Sequence, residues 1–398
     1  METIKLFDLD SYRTEFEGTV LSCSDAPDKD GHWHVVLDQT VFFAEGGGQP
    51  SDVGTLGTAQ VLHVSEKQGV ITHHCSEPLE AGTKVKGRID WPVRFAHMQI
   101  HCGEHILSGL IFREYGFHNV GFHMGHEFTT IDLDGQLTGE MVEHIETLVT
   151  RAISENVPVH ASYPSKEELE KIPLRKKPDV EKLRVVEVEG YDWCGCCGTH
   201  VSHTGEIQLL KIIDFQRYKG GTRLFFLCGE KAFRDYQEKH AAIKSLAEEF
   251  SCKPQDLTTA VHRLQQELSD TKALLSEKNK LLFSLLGPQL LEKAPEIDGC
   301  KWVFLYGGFS ADEMKAFASS MTKENVCYCT FFAPTPNGIR YALSRSKAVS
   351  AFSGKALCQT MNKTFGGKGG GSDELACGNL PQVEETALRD FFQKELGL

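Results

Sequence analysis

Two pairs of metal-binding side chains, about ninety residues apart in sequence, place the strongest constraint on how this chain folds. His101 and His105 are four residues apart, so on a helix they share one face and both reach a single ion. Cys196 and His200 repeat that spacing. Together the four side chains form a tetrahedral nitrogen and sulfur set of the kind that zinc prefers. We therefore expect a fold that brings these two segments together around one zinc ion per chain.

The assignment of the cysteine ligand rests on spacing. Cys194 and Cys197 flank Cys196, and the sequence leaves open which of the three binds metal. Four protein ligands are typical of a structural zinc site, whereas a catalytic site keeps one position for water or substrate. The sequence does not choose between these two kinds of site.

The length and the local patterns predict a chain of several domains. A chain of 398 residues exceeds one ordinary core. Alternating apolar residues with intervening turns favour a small β domain first, and a cap with an early proline at Asp90-Trp91-Pro92 predicts a helix that ends near Gly116. Mixed strands and one helix at residues 139–156 follow, then a charged helical segment that we expect to stop at Gly287-Pro288, and finally a small α/β domain. The predicted boundaries are 1–90, 91–230, 231–287 and 288–398.

The charged helical segment carries a four-three stripe in which seven of nine positions are apolar. That pattern fits a coiled coil or helical hairpin, and equally a helix packed on its own domain. The stripe consists of Leu257, Val261, Leu264, Leu268, Thr271, Leu275, Lys278, Leu282 and Leu285.

The segment from Thr40 to Asp52 contains three consecutive glycines followed by Gln49. Bare backbone lets amides approach a ligand closely, and the glutamine offers a neutral donor and acceptor. Taken alone, the segment is more typical of a tight turn between strands than of a binding loop.

Composition limits the compartment and the partners. The formal net charge of −13 argues mildly against a nucleic-acid partner, although local basic stretches exist. We expect no secretory signal and no membrane span. Thirteen scattered cysteines do not form a disulfide framework, so reduced thiols and a cytoplasmic location are expected.

Together, these segments resemble the alanyl-tRNA editing proteins of the AlaX type, relatives of the editing domain of alanyl-tRNA synthetase. The matching pieces are the Thr40–Asp52 segment, the helix with His101 and His105, and the Cys196–His200 loop, in the family's order. The glycine-rich run at residues 366–373 looks like the DHH-associated domain that ends the long AlaX form. The resemblance implies an α+β multidomain fold, with an N-terminal β-barrel, a central editing domain, a helical connector and a C-terminal α/β DHH-associated domain.

The same resemblance implies hydrolysis of seryl, and also glycyl, esters on alanine tRNA at the zinc site. Thr40 would bond the serine hydroxyl, and Gln49 with the glycine-loop amides would fix the ester. Glu104 lies where relatives have a neutral residue and would act as general base or orient a ligand. The C-terminal domain would hold tRNA and support a homodimer, together with the helical connector. The implied substrate-binding residues are Gly46, Gly47, Gly48 and Asp52, and the implied tRNA-binding residues are Lys368, Gly369 and Gly370.

Three other functions compete with this one. His101 to His105 also fits the His-x-x-Glu-His pattern of inverted zinc peptidases, which leaves Cys196 and His200 without a role. A tRNA-binding protein with a purely structural zinc would unfold when the metal is removed. A deacylase acting on threonine tRNA charged with serine would share the metal ligands, but the terminal glycine-rich domain favours alanine tRNA.

Overall fold

The computed structural model describes residues 2–175, 183–350 and 352–397. The chain forms two compact units, Met1–Leu246 and Ala247–Leu398. The predicted α+β multidomain class is confirmed at this level, whereas the finer four-part division stays a prediction.

The first unit begins with a closed six-stranded barrel. Its strands follow the order β2-β3-β7-β6-β5-β8, and β1 pairs with β4 in parallel beside it. Inside, apolar side chains from alternate strand positions form one core, as expected for a strand with one buried face. The elements are β1 Ile4–Lys5, α1 Leu6–Leu9, β2 Glu15–Cys23, β3 Trp33–Leu37, β4 Gln39–Thr40, β5 Gly54–Leu56, β6 Ala59–Lys67, β7 Val70–Cys75 and β8 Lys84–Ile89.

A long buried helix, α2, follows the barrel. The Asp90 side chain accepts a hydrogen bond from Val93 N, Pro92 stands in the first turn, and Gly116 ends the helix in the left-handed conformation. The predicted cap, proline and end point are therefore confirmed. A four-stranded sheet, β14-β15-β10-β9, and a three-stranded sheet, β11-β12-β13, accompany α2 and α3. The elements are α2 Trp91–Tyr115, β9 Asn119–Met124, β10 Thr129–Leu133, α3 Gly139–Glu155, β11 Val159–Ser162, α4 Lys166–Leu169, β12 Val185–Val188, β13 Asp192–Gly195, a 3-10 turn Thr204–Ile207, β14 Leu210–Tyr218, β15 Gly221–Cys228 and α5 Gly229–Glu249.

The second unit is built on a six-stranded mixed sheet of order β16-β17-β18-β19-β21-β20. Apolar clusters on the two faces of this sheet include residues of its helices. This architecture agrees with the predicted α/β character, while the DHH-associated identity stays a prediction. The elements are a 3-10 turn Pro254–Asp256, α6 Leu257–Lys293, β16 Glu296–Ile297, β17 Cys300–Tyr306, α7 Ala311–Glu324, β18 Cys327–Thr335, β19 Gly338–Arg345, α8 Gly354–Phe365, β20 Lys368–Gly371, β21 Leu375–Leu380 and α9 Glu385–Leu396.

Helix α6 corrects one prediction. The expected stop at Gly287-Pro288 is wrong, because the helix continues through Pro288 to Lys293. Gly287 is buried, the nearby Phe283 stacks on Phe317 of α7 with ring centroids 4.3 Å apart, and neighbouring leucines pack on the same apolar cluster. This packing compensates for the backbone hydrogen bond that proline removes. In the structure, five leucines of the predicted stripe are exposed to solvent, namely Leu264, Leu268, Leu275, Leu282 and Leu285.

Among the residues that the structure describes, no helix combines the length and the apolar character needed to cross a membrane.

Candidate metal centre

Helix α2 supplies the first pair of predicted ligands. His101 and His105 are 2% and 1% exposed, inside a stretch of the helix that is buried on all sides. His101 Nδ1 lies 2.8 Å from Gln49 Oε1, and His105 Nδ1 lies 2.9 Å from Asp192 Oδ2. These contacts occupy the Nδ1 atoms and leave the Nε2 atoms for the cluster, as is common for metal-binding histidines.

The loop after β13 supplies the second pair. Arg184 fixes this loop, donating hydrogen bonds to the backbone oxygens of Cys196 and Gly198 at 3.0 and 2.9 Å. A Cβ atom at Gly198 would lie 2.1 Å from the His101 ring, so only glycine lets the loop approach α2 this closely.

The structure brings the four predicted ligands together. Cys196 Sγ lies 3.4 Å from His101 Nε2 and 3.4 Å from His200 Nε2, and ligand atoms of all four residues lie within 4.8 Å of one another. Zinc bonds of the usual lengths in a tetrahedron would place sulfur and nitrogen about 3.6 Å apart. The residues therefore fit a tetrahedral metal ion.

The same geometry favours Cys196 among the three neighbouring cysteines. Cys197 is exposed and belongs to none of the metal-binding groups among the described residues. Cys194 is buried in a separate group with His105 and Asp192.

The electrostatics of Cys196 and His200 suit two metal ligands. Burial raises the pKa of the Cys196 thiol, but His101, His200 and His105 more than offset this, so that the pKa falls well below its usual value. Burial lowers the pKa of His200 to about 3. A thiolate and a neutral imidazole are the forms that bind zinc.

The middle of the glycine-rich segment reaches this cluster. Gln49 accepts a hydrogen bond from Thr199 N at 3.1 Å through the same Oε1 atom that meets His101, and its Nε2 donates to Thr199 Oγ1 at 2.9 Å. Gly46 and Gln49 form a tight turn through reciprocal backbone hydrogen bonds. A side chain at Gly48 would collide with Phe122, because a Cβ atom there would lie 2.6 Å from the ring.

The two ends of that segment do not reach the cluster. Thr40 is 0% exposed inside the barrel, where its hydroxyl contacts His73 Nε2 at 2.9 Å and accepts from Phe42 N at 3.1 Å. Asp52 is 1% exposed and pairs with the fully buried Arg94. Burial and internal hydrogen bonds occupy both side chains, and the expected contact of these two residues with substrate stays a prediction.

A cavity of about 370 Å³ opens beside the ligand cluster. Glu104 lines it, and its Oε1 accepts from Ser108 Oγ at 2.5 Å and from Asn119 Nδ2 at 2.7 Å. Its Oε2 lies 4.0 Å from His105 Nε2. The lining residues are Gly47, His101, Glu104, His105, Asn119, Val120, Gly121, Phe122, Arg175 and Cys194 to Cys197.

Arg175 places a positive charge at the cavity. Its Nε and Nη2 donate to the two oxygens of Asp192 at 2.8 and 3.1 Å, and Nη2 lies 3.9 Å from Glu104 Oε1. Burial lowers the pKa of Arg175, but Asp192 and Glu104 raise it by more, so that the net shift is upward. The guanidinium stays charged.

Sequence reasoning did not find Arg175, Asp192, Asn119 or Thr199. Thr199 precedes the ligand His200, and Asp192 stands two residues before Cys194, so proximity in sequence was an available signal for both. No such signal marks Arg175 or Asn119, which reach the cavity only through the tertiary fold.

The predicted tRNA-binding residues belong to the second unit. Lys368, Gly369 and Gly370 lie on β20, an exposed strand at the edge of the six-stranded sheet. Their role stays a prediction.

Comparison with known proteins agrees with this arrangement. Residues 20–93 match the family described as tRNA synthetases class II (A), and residues 183–225 match the threonyl and alanyl tRNA synthetase second additional domain. The first range contains the Thr40–Asp52 segment, and the second contains the Cys196–His200 loop.

Individual relatives extend the match. The alanyl-tRNA editing protein Aarsd1 of Mus musculus is 36% identical over 69% of this chain and 70% of its own length. The alanyl-tRNA editing protein AlaX-L of Pyrococcus horikoshii is 27% identical over 97% of this chain and 96% of its own. The C-Ala domain from Aquifex aeolicus alanyl-tRNA synthetase covers 26% of this chain and 96% of its own at 17% identity, with a TM-score of 0.24 that supports no conclusion. From the extent of the first match, this chain belongs to the family of alanyl-tRNA editing proteins.

Proposed function

We propose that this protein is a zinc-dependent hydrolase that removes a wrongly attached amino acid, serine and also glycine, from alanine tRNA. The observation that carries the proposal is the convergence of His101, His105, Cys196 and His200 beside a cavity that contains Glu104 and Arg175. The names of the relatives support the substrate class.

Zinc is the ion that the ligand set suits best. Three imidazoles and one thiolate form a borderline-soft set, which oxygen-seeking magnesium and calcium do not prefer. When bound, zinc would supply a positive charge that positions the amino acid end of the substrate.

Glu104 is the general base of this proposal. Two donors hold its Oε1, and its Oε2 remains for a water molecule in the cavity. Glu104 takes one proton from that water as the oxygen attacks the ester carbonyl. The bond between the carbonyl carbon and the ribose oxygen then breaks, and the proton passes to the ribose oxygen.

Arg175 and the glycine loop stabilise the charge that develops on the ester. Asp192 holds the Arg175 guanidinium in place beside the cavity. Gly47 has no side chain, so its backbone is open to the cavity. Donors fixed before the reaction stabilise an oxyanion most effectively. Gln49 acts at one remove, because it orients the His101 ring.

Selectivity for serine requires a polar partner for its hydroxyl. A pocket for alanine cannot reject serine or glycine by size alone, so a second site must recognise the wrong amino acid. Asn119 lines the cavity, and its Oδ1 accepts one hydrogen bond, from Gly121 N at 3.0 Å, so we assign its second lone pair to the serine hydroxyl. A site built to bond a hydroxyl rejects the analogue without it by up to ~10⁴–10⁵-fold.

Two further parts of the chain serve partners in this proposal. Lys368 and the neighbouring glycines of β20 contact the tRNA backbone, since an edge strand exposes both its amides and its side chains. The exposed leucines of α6, together with the rest of the second unit, form a homodimer interface in this proposal.

The test is release of amino acid from alanine tRNA charged with serine, glycine or alanine. We expect loss of serine and glycine, with alanine retained, and no release by His105→Ala. His160→Ala is the control, because His160 is an exposed histidine on β11. Circular dichroism verifies that each variant is folded.

The alternatives give different results in the same assay. Release of serine from threonine tRNA, but not from alanine tRNA, would indicate the threonine editing activity. Binding of tRNA without any release, together with unfolding on zinc removal, would indicate a structural zinc. Either result contradicts the proposal.

A further inference from the structure

A second group of metal-binding side chains lies on the barrel and has no part in the proposed reaction. Ligand atoms of Asp28, His34 and His74 lie within 4.8 Å of one another. Their side chains are 24%, 40% and 18% exposed, so all three are partly sheltered and still open to solvent.

Strand register creates this group. His34 on β3 stands directly opposite His74 on β7. Successive strand residues point to opposite faces. His73 is 0% exposed inside the barrel, and His74 therefore points outward. The two imidazole rings have centroids 4.5 Å apart.

Asp28 is fixed in place before any ion binds. Its Oδ1 accepts hydrogen bonds from the backbone amides of Asp30 and His32, each at 2.9 Å, within the loop between β2 and β3. Its Oδ2 is directed at the histidines, 2.9 Å from His34 Nε2 and 4.0 Å from His74 Nδ1. Because the loop already orders the Asp28 carboxylate, binding of an ion costs this side chain little further conformational entropy.

His74 is also oriented by a neighbour. Its Nε2 lies 3.0 Å from Ser65 Oγ on β6. When Nε2 donates to that hydroxyl, the lone pair of Nδ1 faces Asp28. A hydrogen bond that fixes the tautomer of a ligand histidine is a common feature of metal sites.

We propose that Asp28, His34 and His74 form a second metal site, which binds a divalent transition metal such as Zn²⁺ on the outer face of the barrel. Zinc bonds to nitrogen and oxygen would place the ligand atoms about 3.3 Å apart, between the two distances observed from Asp28. Two imidazoles exclude magnesium and calcium as preferred ions. With three protein ligands, the site keeps a position for water and binds more weakly than the four-ligand cluster.

The site ties the Asp28 loop to β7. The loop connects two adjacent strands of the barrel, and its carboxylate reaches across β3 to the next strand. A bound ion therefore joins three separate segments of the first unit, and we expect it to stabilise the folded barrel by mass action.

The experiment measures zinc bound per chain in tag-free, full-length protein across a series of chelator-buffered free zinc concentrations. We expect one equivalent at low free zinc and a second equivalent at higher free zinc. In His34→Asn and His74→Asn the second step shifts by at least about tenfold or disappears, since direct ligands matter at least as much as their supporting groups. His160→Asn, an exposed histidine outside the group, retains both steps.

Asp28→Asn is a third ligand variant, chosen because it should keep the fold intact. Asparagine retains the oxygen that accepts the two backbone amides and removes the charged ligand. Amino acid release from charged tRNA is unchanged in all of these variants if only the second site is affected. A single zinc step in the unmodified protein, or equal second steps in all variants, would overturn the proposal.

Discussion

The ends and the middle of the Thr40–Asp52 segment lie a few residues apart, yet they have different environments. Thr40 and Asp52 are buried with their hydrogen-bonding groups occupied inside the fold. Gly47 lines the cavity, and Gln49 holds a ligand histidine. A continuous sequence motif therefore combines residues that support the barrel with residues that serve the site.

This difference teaches that a motif shared with a family does not assign one role to all its members. The ends of the segment should affect stability, and the middle should affect chemistry. Substitutions at each position can separate these effects.

The largest expected effect is on folding, at the buried pair of Asp52 and Arg94. Arg94 Nε lies 2.9 Å from Asp52 Oδ1, and the side chains of Arg94 and Asp52 are 0% and 1% exposed. We expect Asp52→Asn to lower the free energy of unfolding by about 3–5 kcal/mol, because it leaves a buried charge without its partner. Urea denaturation measures this, and the activity of the folded fraction should be retained.

The matched control is Asp132, which pairs with Arg223 on the neighbouring strand. These side chains are 21% and 28% exposed. Asp132→Asn should cost no more than about 1 kcal/mol. Equal losses of unfolding free energy for the two variants would contradict the distinction between a buried ion pair and a partly solvated one.

The next effect is on chemistry, at Gln49. Gln49→Ala removes the acceptor that orients His101, so kcat/KM for serine release should fall by about 10–100-fold, as for other supporting groups of metal ligands. Bound zinc is measured in parallel. Gln49→Glu retains the acceptor and should recover part of the activity, whereas full activity in Gln49→Ala would assign Gln49 to folding alone.

The barrel interior should also make stability depend on pH through His73. Burial lowers the pKa of His73 to about 4, from an ordinary value near 6.5 in the unfolded chain. The unfolded state then binds the proton more tightly, and stability falls as pH drops from about 6.5 towards 4. We expect a loss of about 2 kcal/mol between pH 7 and pH 5. His73→Gln should flatten this part of the profile, and an unchanged slope would exclude His73 as its source.

The sequence predicted the elements whose signals are local. The cap at Asp90, the end at Gly116 and the two ligand pairs depend on spacing within one helix or one loop, which periodicity reveals. The structure brings these pairs together as the spacing suggested.

The remaining features depend on contacts between distant segments. Gly287 and Pro288 predict a helix end, but packing of α6 against α7, where Phe283 stacks on Phe317, outweighs that local signal. The pairing of His34 with His74 depends on how β3 and β7 align when the barrel closes. Arg175 contacts Asp192, which lies 17 residues further along the chain, and no sequence pattern links the two residues. Periodicity within one element carries no information about register between elements.

The smallest expected effect concerns Thr40, and it gives the sharpest test of the comparison. Thr40→Val removes the hydroxyl that meets His73 and Phe42, and should lower the free energy of unfolding by about 1–2 kcal/mol. The preference for serine over alanine should not change, because the side chain is buried away from the cavity. Thr40→Ser retains the hydroxyl and should restore the hydrogen bond. Competition between the two charged tRNAs measures the preference. If Thr40→Val lost that preference while Thr40→Ser kept it, the hydroxyl would act on substrate after all, and the ends of the segment would share the function of its middle.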